Sequence, residues 1–128
     1  MKSIFALTLL CGLAVGCASS ASYQEHAAQR TARLRAMYPP GMSRAEVQSK
    51  WGKTKPDFSA ARPDAGWKAY PNTYLARKIQ DEEAATGKSI ASVERYWGPD
   101  GLMSLCYCWY FYDSIDRIVD VEWQYKSD

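Results

Sequence analysis

The constraint that most narrows the fold lies near the C-terminus. Over residues 117–126, Val119, Val121, Trp123 and Tyr125 fall on one side of an extended chain and Asp120, Glu122 and Gln124 on the other. Strict alternation of this kind marks a half-buried strand. The preceding run, 102–113, sets Tyr107, Trp109 and Phe111 on one side and Cys106, Cys108, Tyr110 and Tyr112 on the other. Both of its sides are aromatic, so this strand is either central in a sheet or presents a binding surface. Asp113-Ser114-Ile115-Asp116 between the two runs predicts a hairpin. Trp109, Tyr110, Tyr112, Trp123 and Tyr125 are the candidate partner surface, because exposed aromatic side chains concentrate binding energy. The competing reading for each is core packing.

Upstream the pattern is helical. Tyr23, Ala27, Thr31, Leu34 and Tyr38 recur near a 3.6-residue period and predict a helix over 23–38, stopped by Pro39-Pro40-Gly41. Ser43, with Glu46 three residues on, forms the S-x-x-E capping box of a short helix over 43–51. Val47 and Trp51 make its apolar stripe, and Gly52 suits a left-handed end. Residues 53–66 are rich in Pro, Asp, Ala and Lys and read as loop; 66–70 reads as a short strand. A third helix is predicted from Thr73 to about Thr86; its apolar face is weak (Leu75, Ala76, Ile79), so the helix should be only partly buried. Ser89 caps a predicted fourth helix carrying Ile90, Val93 and Trp97. Residues 41–52 and 87–98 share the frame G-x-S-x-x-x-V-x-x-x-W-G. That match points either to duplication of a capped two-turn helix or to two ordinary short helices with common capping grammar.

The N-terminus has a different character. Lys2 is followed by an apolar run from Ile4 to Val15, shorter than the roughly 20 residues a membrane-crossing helix needs. Small residues then break it, the arrangement of a cleavable secretory signal. Leu13-Ala14-Val15-Gly16-Cys17 resembles the bacterial lipobox, with Ala14 where Leu is usual. That resemblance implies cleavage before Cys17 and lipidation of Cys17; ordinary cleavage leaving a thiol there is the alternative. Several acyl chains on one residue would anchor stably, whereas a single chain binds only marginally. The expected organisation is a signal peptide over 1–16, a lipidated tether over 17–22 and a single domain over 23–128. Ala18 after the cysteine resembles the signal for outer-membrane sorting.

The formal net charge of +2 offers no bulk argument for nucleic acid as a partner. The charge is uneven, however. Bases dominate from Cys17 to Pro63 and acids from Asp64 onward. Arg30, Arg33 and Arg35, nearest the expected lipid, are candidate headgroup contacts, at about 1 kcal/mol for each base close to an anionic surface. A solvated helix face is the other reading.

Pro40-Gly41-Met42-Ser43-Arg44-Ala45-Glu46-Val47, followed by Trp51-Gly52, resembles the P-G-M-[ST]-x-x-x-V-x-x-x-[LFW]-G signature of the SmpA/OmlA (BamE-like) outer-membrane lipoproteins. Cys108-Trp109-Tyr110-Phe111-Tyr112 and Arg117 to Glu122 are similar to that family's W-x-Y hairpin and final strand. The likeness covers roughly residues 1–52 and 98–125. It departs after Gly52, where the family has a nearby Pro and this chain has Lys53-Thr54-Lys55-Pro56. The resemblance implies a two-layer α+β fold, with short N-terminal helices packed on a small antiparallel sheet that ends in the aromatic hairpin. It also implies a non-catalytic lipoprotein at the periplasmic face of the outer membrane, accessory to outer-membrane protein assembly or envelope integrity. Its partners would be the membrane, through the anchor, and the assembly machinery, with no cofactor.

Two other functions stay open. The helix-plus-sheet plan also resembles the β-lactamase inhibitory protein fold, which implies an inhibitor or binding lipoprotein facing the periplasm, and fold does not fix function. Cys106 and Cys108 carry soft sulfur ligands for copper or zinc. Their C-x-C spacing on a strand separates the Cα atoms by roughly 6.6–6.8 Å, near the upper limit for a disulfide. The plainer reading is two small side chains beneath aromatic neighbours, with no metal held. One His, no Gly-rich phosphate loop and no G-x-S-x-G motif leave nothing to assign to catalysis.

Overall fold

The computed structural model of the chain describes residues 18–98 and 106–125. The expected signal segment 1–16, the lipidation candidate Cys17, residues 102–105 of the first aromatic run and Lys126 lie outside the described residues. Among the described residues the architecture is α+β, with three α-helices and a four-stranded antiparallel sheet in the order β1-β2-β3-β4.

The first helix, α1, spans Ala18–Met37, so residues 18–22, expected as a tether, already belong to it. Alanine and its neighbours there hold no breaker, and Ala is the strongest helix former. Thr31, Leu34 and Tyr38 are buried, and Ala27 packs against the same cluster. Pro39 and Pro40 end the helix as expected, since proline lacks the N–H and disfavours α geometry in the residue before it. The second helix, α2 (Arg44–Trp51), is capped as the sequence indicates: Ser43 Oγ accepts the Glu46 N–H at 3.2 Å, and the Gly52 N–H closes on the Gln48 and Ser49 carbonyls at positive φ. Val47 is fully buried, and the Trp51 ring stacks on Tyr96 at 4.6 Å.

The segment expected as loop contains β1 (Phe58–Ala61), an edge strand paired with residues 92–95. Four residues with only Phe58 and Ala60 half-buried are too few to write a visible period. The segment expected as a short strand is a single 3-10 turn, Trp67–Ala69. Trp67 is buried, with its Nε1–H on the Ile90 carbonyl at 2.7 Å, and that anchor curls the chain. The third helix, α3 (Thr73–Thr86), begins at Asn72, whose Oδ1 accepts the Leu75 N–H, and ends at left-handed Gly87. Its apolar face is short but fully used: Leu75, Ala76 and Ile79 are all buried, while the rest of the helix is exposed or half-buried, so the helix is only partly buried, as expected.

The predicted fourth helix is a strand. β2 (Ser92–Gly98) lies between β1 and β3 and pairs with both. Val93, Tyr96 and Trp97 suit a pleated surface, and hydrogen bonding on both edges outweighs the weak helical period. Ser89 does not cap a helix; its Oγ accepts from Arg62 at 2.7 Å. The two copies of the shared frame therefore fold differently, and the duplication is not a structural repeat.

β3 (Cys106–Tyr112) and β4 (Ile118–Tyr125) form the expected hairpin. Asp113 Oδ1 accepts the Ile115 and Arg117 N–H groups, and Asp116 takes a positive φ of 58° in the turn. The register slips beside Phe111 and Tyr112, where Phe111 faces Asp120 while Tyr112 faces Ile118. Val119 is the extra residue of this bulge and packs with the opposite core from Val121 and Trp123, so the expected four-residue face of β4 is broken at its first member.

Aromatic residues on both sides of β3 create two cores. On one side Cys108, Tyr110 and Tyr112 join Leu34, Tyr38 and Val47 of the N-terminal helices. On the other, Trp109 and Phe111 join Trp67, Leu75 and Ile79. The N-terminal helices thus pack on the sheet as expected, and α3 adds a layer on the far face. The edge of β4 is closed by a side chain: Thr31 Oγ1 accepts the Trp123 N–H at 3.1 Å and donates to its carbonyl at 3.4 Å.

Candidate functional site

The expected aromatic contact surface is mostly interior. Trp109, Tyr110, Tyr112 and Trp123 are at most 6% exposed, and only Tyr125 is half-buried. The physical reason is the placement of β3 inside the sheet with helices over both faces. Tyr110, Trp109 and Tyr125 use their polar atoms within the protein. Tyr110 Oη accepts from Trp51 Nε1 at 2.8 Å, and Tyr38 packs on the Tyr110 ring edge at 5.0 Å. Burial pushes the Tyr110 and Tyr112 hydroxyls far above the usual tyrosine range and that of Tyr96 up to about 12, so these phenols stay neutral. Trp123 meets Tyr125 edge-on at 4.4 Å, and the Tyr125 hydroxyl bonds His26 Nδ1.

The three candidate headgroup arginines are treated differently by the fold. Arg35 forks onto Asp120 at 2.8 and 3.1 Å. Arg30 lies over the Trp123 ring at 5.4 Å and donates to His26 Nε2. Arg33 is exposed. Asp120 joins elements from both faces, because Glu82 of α3 approaches it opposite Arg35. Burial and the neighbouring Asp120 and Glu122 push the Glu82 carboxyl up to about 7, against the pull of Lys78. Burial raises Asp120 too, but the Arg35 fork, the Val121 N–H and Glu82 bring it below the usual carboxylate range. Lys78 binds Glu122 at 2.6 Å.

Cys106 and Cys108 are both 2% exposed thiols on the side of β3 that faces the N-terminal helices. The Cys106 thiol donates to the Gly98 carbonyl at 3.1 Å. Among the described residues, no three His, Cys, Asp or Glu side chains converge where a metal ion could sit.

Two clefts open on opposite sides of the sheet. The larger, of about 440 Å3, lies where the N-terminal end of α3 meets the end of the hairpin. Arg95 forms its inner wall. Its guanidinium lies over Tyr107 at 4.1 Å and is forked by Asp57 at 2.8 and 3.0 Å. Asn72, Tyr74 and Gln124 supply polar groups, and a hydrogen-bond chain runs from Trp109 Nε1 to Gln124 Oε1 at 2.8 Å and from Gln124 Nε2 to Tyr74 Oη at 3.3 Å. The second cleft, of about 320 Å3, is bounded by Leu34, Met37, Tyr38, Trp51 and Cys108, with Lys50 and Thr54 beside it. Met37 is 52% exposed.

Sequence reasoning selected neither Tyr74 and Asn72 nor Met37 and Thr54. Their role depends on which segments meet in space. The one legible signal was Pro71-Asn72 opening a helix, which places an amide at a helix start. No protein-family model, curated protein or solved structure matches the chain.

Proposed function

We propose that this chain is a non-catalytic lipoprotein of the bacterial outer membrane, held at the periplasmic face through a lipid on Cys17. Its role would be that of an accessory binding factor in outer-membrane protein assembly or envelope integrity. The observation that carries the reading is that Ala18, the residue after Cys17, already belongs to α1, a helix bonded along β4 through Thr31 and Arg35. A lipid at that position would join the domain with no flexible spacer and so would fix its orientation on the membrane. The helix is about 30 Å long at 1.5 Å per residue, so its far end, with Met37 and the apolar cleft, would be presented away from the anchor. Arg33 remains available to headgroups, whereas Arg35 is committed to Asp120 and Arg30 to Trp123 and His26.

The test has two parts. Intact mass of the chain from envelope fractions should show an acylated N-terminal Cys17, and inhibition of the lipoprotein signal peptidase should leave the uncut precursor. A soluble chain with an unmodified thiol would overturn the tether. A photo-crosslinking residue in place of Met37 or Thr54 should trap components of the outer-membrane assembly machinery. Trapping of a soluble periplasmic enzyme alone would overturn the accessory role in favour of an inhibitor.

A further inference from the structure

We propose that the cleft at the start of α3 is a binding site for a neutral saccharide ring. The argument begins with charge. Among the described residues, the one charged side chain in the lining is Arg95, and Asp57 takes its guanidinium in a two-point fork. The described lining therefore presents no spare positive charge for a phosphate or carboxylate. It also presents no acid for an ammonium, and the aromatic walls that would cradle a cation, Tyr107 and Phe58, already hold Arg95 at 4.1 and 5.5 Å.

What remains are fixed, uncharged hydrogen-bonding groups beside ring faces. Trp109 Nε1–H can only donate, so the Gln124 amide oxygen must face it, and Gln124 Nε2 then donates to Tyr74 Oη. The Tyr74 hydroxyl thus has an acceptor position filled and its own proton to give. Asn72 Oδ1 is occupied by the Leu75 N–H, which leaves the Asn72 NH2 as a donor at the same wall. Tyr74 as a residue is 64% exposed beside these donors. Hydroxyl oxygens of a sugar can accept from Tyr74 and Asn72 while its C–H face covers the Tyr74 ring. The volume of about 440 Å3 lies within the roughly 300–1,000 Å3 of small-molecule sites. A proline-rich peptide is the other ligand that docks on aromatic grooves, but Trp109, whose N–H it would use, is 4% exposed and already bonded.

The test uses the full chain in a detergent without a sugar headgroup and reads the Trp109 indole and Gln124 carboxamide signals by NMR. It involves neither membrane nor protein partner, so its outcome is separate from that of the tether. The probes are trimers of N-acetylglucosamine, cellotriose and a proline decapeptide. Saturable shifts with both sugars support the proposal and place recognition in the shared ring. Shifts with the N-acetylated trimer alone support it and assign the source to an amino-sugar glycan. Tyr74→Ala should weaken binding about tenfold or more, and Tyr74→Phe, which keeps the ring and removes the proton, about three- to tenfold. Tyr74 is exposed, so both variants should keep the parent amide spectrum elsewhere. The absence of shifts with either sugar, sugar binding unchanged in Tyr74→Ala, or shifts with the peptide alone would each overturn the proposal.

Discussion

Replacing Glu82 by Gln isolates one titration in this molecule. Glu82 of α3 faces Asp120 and Glu122 of β4, with Lys78 on its own helix and Arg35 across Asp120 on α1. Its carboxyl is raised from 4.5 to about 7, chiefly by burial and then by the neighbouring acids. The folded state therefore holds a proton that the unfolded state releases near 4.5. Stability contributed by that proton is fully present below 4.5 and is lost as pH rises through about 7. At about 1.4 kcal/mol per pH unit, this interval sets a ceiling of about 3–4 kcal/mol. Glu82 is only half-buried, and solvent screening brings the expected effect to about 1–2 kcal/mol. Asp120 stays ionised throughout, because its folded value is lowered. A glutamine can donate to Asp120 at every pH. The assay is urea unfolding of parent and Glu82→Gln chains at pH 5 and pH 8 at one ionic strength. The parent should lose about 1–2 kcal/mol relative to the variant on going to pH 8, and groups common to both chains cancel in the difference. Parallel pH dependences, or a parent that gains on the variant, would refute the reasoning.

Thr31→Val keeps the volume but removes both bonds to the Trp123 backbone; it should cost about 1–3 kcal/mol by urea unfolding and raise aggregation by opening the β4 edge. Ile79→Ala empties a fully buried position under Trp109 and Phe111 and should cost about 2–5 kcal/mol, measured as a lower denaturation midpoint. Cys106 and Cys108 should react with a thiol reagent only after unfolding, since each is 2% exposed; rapid labelling of the native chain would refute their burial.

The uneven charge along the chain has an internal use. Among the described residues, three ion pairs join the basic N-terminal part to the acidic C-terminal part: Arg35 to Asp120, Arg44 to Asp116 at 3.1 Å, and Arg44 to the buried Glu94 at 3.8 Å. Arg44 also covers the Tyr112 ring at 4.3 Å and bonds Ser92 Oγ, so it ties α2 to the sheet at four points. The asymmetry was legible in the sequence, and a membrane surface was one reading of it. Its main consequence is that the N-terminal helices carry charges complementary to the strands they cover. The hairpin and its turn were legible as well, because Asp113 and the β4 alternation are local signals. The identity of the aromatic surface was not, since residues that read as exposed on a two-sided strand become core once helices cover both faces: the N-terminal helices lie over Tyr110, Tyr112 and Trp123, and a third layer, α3, lies over Trp109. The only local hint of that layer was the short apolar face of α3.

The misreading of β2 has a definite cause. The shared frame sets Val and Trp four residues apart in both copies. On a helix that spacing nearly completes a turn, and on a strand it is an even step, so both conformations put the pair on one side. Val47 with Trp51 and Val93 with Trp97 are therefore equally regular in either state. The information lies in the residues between. Ala45, Glu46, Gln48 and Lys50 favour helix, and Glu46 sits where Ser43 Oγ can accept its N–H. The second copy has Ser92 in the position of that Glu, so the capping box is absent, and Ile90 and Tyr96, which favour strand, stand where the first copy has Arg44 and Lys50. In β2 those intervening residues alternate usefully: Tyr96 enters the core shared with Val47, and Glu94 reaches Arg44. The first copy, as a helix, lies against the second, as a strand, with Trp51 stacked on Tyr96. A frame that looked like one element written twice thus encodes two elements that pack on each other.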